Sequence, residues 1–457
     1  MSTPQAAQPH AGIRDTTTTH AGVGVTSDVS DASHAGLGSA PARSVDPDPA
    51  ADTARCRSCG GRDLTVFLSL GDLPASDAFL APEQLHEQEP RYPLDVAFCA
   101  DCALVQILHT VPPETLFGAD YPYFSSVTDM LLRHSAINVR QRIEEQRLGP
   151  GSLVIELASN DGYLLQYYRE RGIPVLGIDP APGPVAVARG RGIQTLQAFF
   201  GSQLATELAA QGKRADVIHA NNVLAHVADT NGFVAGIATL LKDDGVAVVE
   251  APYVRDLIDH GEFDTIYHEH LCYFSVTALR NLFERHGLFL NRVEPLAIHG
   301  GSLRLFIEKH ARPTRSMGEY LESERRLGLD RLAYYTGFSV RVAAIRSELT
   351  ALLQDLKRRG ARIAGYGAAA KGTIMLNYAG LGPPLLDFVV DRNVHKQGRF
   401  IPGVRLPIEP PERLLEAQPD YVLILPWNFK EEIMTQQDEY RRRGGRFIVP
   451  VPRPSIL

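Results

Sequence analysis

Residues 266 to 275, IYHEHLCYFS, set Tyr267, His268, Glu269 and His270 side by side. A phenol, two imidazoles and a carboxylate in one run suit two chemistries. The first is proton transfer, because histidine titrates near working pH, at about 6.5, and a nearby carboxylate orients an imidazole and favours its charged form. The second is metal binding: in an extended segment alternate side chains share a face, which puts His268 and His270 on one side and Tyr267 and Glu269 on the other. No third metal ligand is evident beside the His-x-His pair, so proton transfer is the stronger reading. The segment follows the acidic stretch DLIDHGEFD and precedes a helix whose expected N-cap is Ser275, in a loop beyond a sheet strand.

The cysteines form a second constellation. Four of the five fall in two C-x-x-C pairs, Cys56 with Cys59 and Cys99 with Cys102. Two such knuckles present four thiolates tetrahedrally to one Zn²⁺ and leave no open position, which makes the zinc structural. The gap between the pairs, 39 residues, is longer than in an ordinary zinc ribbon, and a redox dithiol or two unrelated turns stands as the alternative. Cys272 remains as a buried free thiol.

These groups need a scaffold, and residues 152 to 310 describe one. SLVIELA, PVLGID, ADVIHANNV and GVAVVEAP are short apolar strands that alternate with helical stretches, NDGYLLQYYRERG among them, closed by Gly172. Such alternation predicts an α/β fold with a doubly wound parallel sheet, to which LFLNRVEPL and GGSLRLFIEK add a terminal pair. A ligand then lies beyond the carboxyl ends of the strands. There the first strand runs into ELASNDG, where only Gly162 survives of a dinucleotide fingerprint and Asn160 and Asp161 take the tight-turn places. Asp179 closes the second strand, 17 residues past Gly162, in position to accept the hydroxyls of a ribose. With Glu156 inside the first strand's end, this acidic turn without a phosphate cradle suits a cationic nucleoside, S-adenosylmethionine, better than NAD. Asp179 as a plain turn cap before Pro180 is the alternative. Phe199 and Phe200 stand where they can wall an adenine, although aromatic pairs more often belong to a core.

Composition narrows the function. The chain has 457 residues, 44% hydrophobic and 22% charged, with a formal net charge of -7. The length implies two or three domains. The acidic balance, with no overriding basic run, argues against nucleic acid as a partner. No apolar run approaches the ~18 residues of a membrane span, and no signal peptide opens the chain, so the expected location is the cytoplasm, away from any membrane. Residues 1–55 contain no Phe, Trp, Tyr, Cys or Lys, too little to build a core, and are expected to be a disordered tail in which His10, His20 and His34 are merely solvated.

VIELASNDGYLL, HANNVLAHV, EFDTIYHEHLCYFS and HGGSLRLF, with the upstream C-x-x-C pairs and a later AGYGAAAKG, resemble the three-domain S-adenosylmethionine-dependent sugar C-methyltransferases of deoxysugar biosynthesis. The resemblance runs from about residue 56 to the end. It implies a small zinc-binding domain at 56–115, a central class I methyltransferase domain at 116–312 and a C-terminal Rossmann-like domain at 313–457. It implies S-adenosylmethionine and structural Zn²⁺ as cofactors and an NDP-keto-deoxysugar, dTDP-linked in this family, as substrate, methylated on a carbon beside the keto group. By the same match His270 is the general base, with Glu269 and Tyr267 organising the base and the developing enolate. His226 in NNVLAHV, and Tyr121 and Ser126 in DYPYFSS, match positions facing the sugar, and Asn222 matches a cofactor position. Each has a plainer alternative: Tyr121 as aromatic packing, His226 as a cap, Asn222 as a turn. A non-sugar methyl acceptor and a catalytically idle nucleotide-sugar binding protein are the rival functions, and the oligomeric state is left open.

Beyond a charged helical stretch at about 316 to 358, RIAGYGAAAKG opens a second strand-loop-helix unit, followed by strands in LDFVVDRN and YVLILPWNF. Lys371 there is expected to meet the diphosphate of the substrate at a helix N-terminus, against a Gly loop that exists for packing alone.

Overall fold

Strands of two to twelve residues build three sheets in the computed structural model, which describes residues 54–116, 124–296 and 301–457. The expected tail and Tyr121 lie outside the described residues, apart from the tail's last two positions, 54 and 55.

In the first sheet β1 (Leu64–Leu73), β2 (Tyr92–Cys99) and β3 (Val105–Ile107) pair antiparallel. The second contains β4 (Val154–Leu157), β5 (Val175–Asp179), β6 (Thr195–Gln197), β7 (Ala215–Asn221) and β8 (Leu241–Pro252), all parallel. β9 (Cys272–Tyr273) leaves that run and joins the first sheet beside β3, so the order there is β1-β2-β3-β9. β10 (Phe289–Leu296) and β11 (Ser302–Glu308) return antiparallel and complete the second sheet in the order β10-β11-β8-β7-β4-β5-β6. The order reverses between β4 and β7, and the crevice beyond their carboxyl ends is where a ligand of such a sheet sits.

The third sheet, β14-β13-β12-β15-β16-β17, is a smaller copy of the same plan, from β12 (Ile363–Tyr366), β13 (Val389–Val390), β14 (Ile408–Glu409), β15 (Tyr421–Ile424), β16 (Arg446–Val449) and an antiparallel β17 (Ser455–Ile456). β6 had no counterpart among the expected strands. The charged stretch expected as one helical run is two helices, Arg315–Leu327 and Phe338–Arg358; Gly328, at φ +81°, ends the first. Ser275 does cap the helix Val276–Glu284, its side chain accepting from the Ala278 N–H at 3.0 Å.

The central strands are buried on both faces, as parallel strands covered by helices must be. Val154, Ile155, Val217, Ile218, Val248 and Val249 are fully enclosed. Polar side chains interrupt this core in two successive rows: Glu156 pairs across to His219, and, two residues further along β7, Asn221 to Glu250 to Arg304. Direct cross-strand partners share a face, so these residues form a polar edge to the core at the carboxyl ends of β4, β7 and β8.

Candidate active site

The IYHEH stretch is not extended. The His270 N–H donates to the Tyr267 carbonyl at 2.8 Å, which closes a β-turn with His268 and Glu269 at its centre. The expected pairing by alternate positions is therefore wrong, because a turn brings together residues i and i+3. Tyr267 and His270 meet, with ring centroids 3.9 Å apart and the phenol oxygen 2.8 Å from His270 Nε2. Nδ1 of the same ring lies 2.9 Å from the Thr265 carbonyl oxygen. A carbonyl only accepts, so Nδ1 carries the proton and the lone pair is on Nε2, where the Tyr267 hydroxyl donates to it. His226, at the end of a short 3₁₀ turn after β7, stands edge-on to His270 with centroids 4.7 Å apart. Burial pulls its pKa down to about 4, against a pull upward from the Glu269 backbone, so it is a neutral neighbour.

His268 and Glu269 point elsewhere. His268 Nε2 sits 3.1 Å from the Tyr92 carbonyl, and among the described residues neither histidine belongs to a cluster of three or more potential metal ligands. Glu269 does not orient the imidazole of His270, a task taken by Thr265. Burial pushes the Glu269 carboxyl well above its ordinary range, Asp77 pushes it the same way, and Lys396 acts in the opposite sense. Thr265 acts through its backbone and so left no signal in residue type.

The cofactor side of the crevice is the loop after β4. Ala158, Asn160 and Gly162 alternate into the left-handed region at φ 56°, 49° and 78°. At Gly162 a Cβ would also lie 2.3 Å from Ile193 Cδ1. The Asn160 N–H donates to Asp179 Oδ2 at 2.8 Å and the Ala181 N–H to Oδ1 at 2.9 Å. Asp179 thus caps its own turn, the plainer of its two readings, and with about four lone-pair sites its carboxylate keeps capacity for a diol. Asn160 Oδ1 accepts from the Ser125 N–H. Ser126 donates to Asp161, and Arg191 bonds both the Ser126 hydroxyl and the Asp161 carboxylate, a network with no sequence signal.

Asn222, at φ 52°, turns the chain out of β7 and donates its N–H to the Glu250 carbonyl at 2.8 Å. Phe200 packs edge-to-face on Phe233 at 5.3 Å and beneath Gly236, whereas Phe199 is the exposed member of the pair. Burial foremost raises Glu156 well above its usual range, with Tyr163 opposing. Burial also works against the charge of Glu250, but His134 and Arg304 outweigh it and hold its pKa low. Among the described residues the buried acceptors Asn221 Oδ1, Asn222 Oδ1 and Asp161 Oδ1 have no hydrogen-bond donor. These acceptors, beside the carboxyl groups of Glu156, Asp161 and Asp179, fit a cationic ligand rich in donors, as S-adenosylmethionine is, and not a pyrophosphate.

The cysteine pairs converge as the spacing predicted. The four Sγ atoms lie within 4.8 Å of one another, with Cys56–Cys102 at 3.5 Å and Cys59–Cys99 at 3.6 Å. A tetrahedral site with Zn–S of about 2.3 Å has edges of about 3.8 Å, so the set fits Zn²⁺ and fills its shell. Each knuckle closes on a left-handed residue, Gly60 and Ala103, whose N–H groups donate to Cys56 and Cys99 carbonyls at 2.9 Å. Asn231 donates to the Arg57 and Ser58 carbonyls and accepts from His286, which fastens the knuckle to the helix Thr230–Leu240. Cys272 is a buried free thiol whose pKa burial pushes up to about 12.

In the third sheet Gly367 and Gly372 serve packing: a Cβ at the first would lie 2.4 Å from Pro426 Cδ, and at the second 2.9 Å from Leu425 Cβ. Lys371 donates to Asn428 Oδ1 at 3.0 Å and lies over the Trp427 ring at 4.7 Å. Trp427 in turn donates to Asp264, three residues before Tyr267.

Comparison with known proteins agrees with this arrangement. Residues 56–117 match a zinc binding domain, 132–291 a methyltransferase domain and 297–452 the C-methyltransferase C-terminal domain. The C-methyltransferase NovU of Streptomyces niveus is 36% identical over 88% of this chain and 96% of its own. A ubiquinone biosynthesis O-methyltransferase of Azorhizobium caulinodans is 29% identical over 31% of this chain and 52% of its own. Among solved structures, magnesium protoporphyrin IX methyltransferase from Synechocystis PCC 6803 with bound SAM aligns with a TM-score of 0.31 and 15% identity, over 40% of this chain and 82% of that one. No helix among the described residues is long and apolar enough to cross a membrane. With all three domain models in order and a full-length relative, the chain belongs to the S-adenosylmethionine-dependent C-methyltransferases that carry an N-terminal zinc-binding domain.

Proposed function

We propose that this enzyme methylates a carbon adjacent to the keto group of an NDP-keto-deoxysugar, dTDP-linked, in the biosynthesis of an antibiotic or related secondary metabolite. The observation that carries the reading is the Thr265–His270–Tyr267 arrangement, which leaves one basic lone pair, on Nε2, beside a phenol that can donate. His270 takes the proton from the carbon next to the ketone, the C–H electrons move into the enolate, and Tyr267 turns its hydroxyl from Nε2 to the enolate oxygen. Bound S-adenosylmethionine supplies the electrophilic methyl that the enolate carbon requires. His226, neutral and edge-on to His270, lines the sugar side together with Ser126, and the family resemblance assigns Tyr121 to the same substrate. Glu156, Asn160, Gly162, Asp179 and Asn222 hold the cofactor. Lys371, close to the acidic 262–264 segment, approaches the diphosphate. The working division is 56–115, 116–312 and 313–457, in a cytoplasmic enzyme.

Labelled S-adenosylmethionine and a panel of NDP-4-keto sugars test the proposal. A new carbon–methyl bond beside the former ketone, seen by NMR, is expected. Methyl transfer only to oxygen, to nitrogen or to a non-sugar acceptor, or no transfer despite binding of both ligands, would reject it.

A further inference from the structure

The turn carrying His270 is built into the first sheet on both of its shoulders. On one shoulder, β9 begins two residues after His270 and pairs with β3 through Gln106↔Cys272 and Val105↔Tyr273, while the Ile107 N–H donates to the Leu271 carbonyl at 3.0 Å. On the other, His268 is fully buried with Nε2 3.1 Å from the carbonyl of Tyr92, the first residue of β2. The carbonyl can only accept, so His268 donates from Nε2, and the Tyr92 ring packs against the imidazole at 5.7 Å and 66°. His268 occupies the second position of the turn that the His270 N–H closes. Anchoring that position to β2 fixes the plane of the turn, and with it the direction in which the fourth position projects.

We propose that His268 is a positioning residue that latches the catalytic turn to the zinc-bearing sheet and acts on the reaction through His270. The proposal rests on the reading of His270 as general base. A displacement of about 1 Å in a reacting group costs on the order of 10²-fold in rate, and a turn held on one shoulder only has that freedom.

The test is a double-mutant cycle on the full-length zinc protein. His268→Phe keeps the ring and removes the donor; His268→Gln restores an N–H at the same number of bonds from the backbone; His268→Asn, one bond short, replaces the Phe variant should that one fold poorly. Expected are a kcat lowered about 10²-fold in the loss variants, unchanged affinity for S-adenosylhomocysteine and KM for the sugar nucleotide, and recovery of most of the rate in the Gln variant. In a His270→Asn background the loss variants should have no further effect, because the path through His270 is already gone. An equal loss in both backgrounds, full kcat in the Phe or Asn variant, or failure of Gln to rescue would overturn the latch. Full turnover by His270→Asn alone would instead overturn the general-base reading beneath it.

Discussion

His270 is ready for proton abstraction because its tautomer is set by a backbone carbonyl and not by an ionisable side chain. The Nδ1–H on Thr265 leaves Nε2 as base whatever the state of Glu269. His270→Asn should therefore cut turnover by ~10² to 10⁴-fold, the usual worth of a positioned base, while S-adenosylhomocysteine still binds; calorimetry and single-turnover assays check both parts. Asp179 behaves differently, since one of its oxygens already holds the loop after β4 and the other its own turn after β5. Asp179→Ala removes a charged acceptor for the cofactor and releases that loop together. It should weaken S-adenosylhomocysteine by about 10- to 100-fold, the worth of a hydrogen bond to a charged group, and the sugar nucleotide far less, again by calorimetry.

The helix Val276–Glu284, directly after the catalytic turn, is capped twice. Ser275 does so locally, and Glu324, from the helix Arg315–Leu327, accepts from the Val276 and Thr277 N–H groups at 2.7 and 2.8 Å and from the Tyr253 hydroxyl at 2.9 Å. A buried carboxylate on a helix N-terminus stabilises it through both hydrogen bonds and the helix dipole. Glu324→Ala strands those donors and should cost about 3 kcal/mol in urea unfolding, with kcat falling less than stability. The strand row gives a pH effect. Burial pulls the His219 pKa to about 3 from an ordinary 6.5, and its Nε2 lies 2.8 Å from the buried Tyr168 hydroxyl. The unfolded chain binds the extra proton between those values, so stability is complete above about pH 6.5 and declines as pH falls toward 3, by up to about 1.4 kcal/mol per pH unit for one proton. His219→Gln should be less stable at neutral pH yet show a shallower decline below pH 6.5, read from urea midpoints at stepped pH.

The molecule is held together by exchanges between its sheets. β9 leaves the methyltransferase chain to complete the zinc-bearing sheet, Arg285 donates to the Ser58 side chain, and Asn281 donates to the Cys102 carbonyl. On the far side Arg405 donates to the Leu85 and Glu87 carbonyls. Zinc should thus stabilise more than its own knuckles. Purified protein is expected to carry about one Zn²⁺ per chain, and Cys99→Ser to remove it, with loss of folding free energy and a lowered kcat through the catalytic turn. Metal analysis with thermal melts decides this; a metal-free variant that melts and turns over as the parent does would refute it.

Cysteine spacing was enough to foresee a tetrahedral site, apolar runs of strand length to place most of β4–β11, and Ser275 before an apolar helix to place its cap, because each depends on bonds or burial within a few residues. The acidic turn at 156–162 was legible for the same reason: an Asn and a Gly where the backbone must go left-handed. The partnership inside YHEH was not. Whether four residues run extended or fold into a turn depends on what holds their flanks, here β3 and Tyr92, through contacts that span 164 and 176 positions of the chain. The same contacts sent His268 into the first sheet and Glu269 toward Asp77 and Lys396, and chose Tyr267 for His270. Glu324 stayed hidden within a charged helix, because only packing singles out one glutamate among several as a cap. Local chemistry is written in residue type, but the aim of a side chain is set by neighbours that the fold brings from elsewhere.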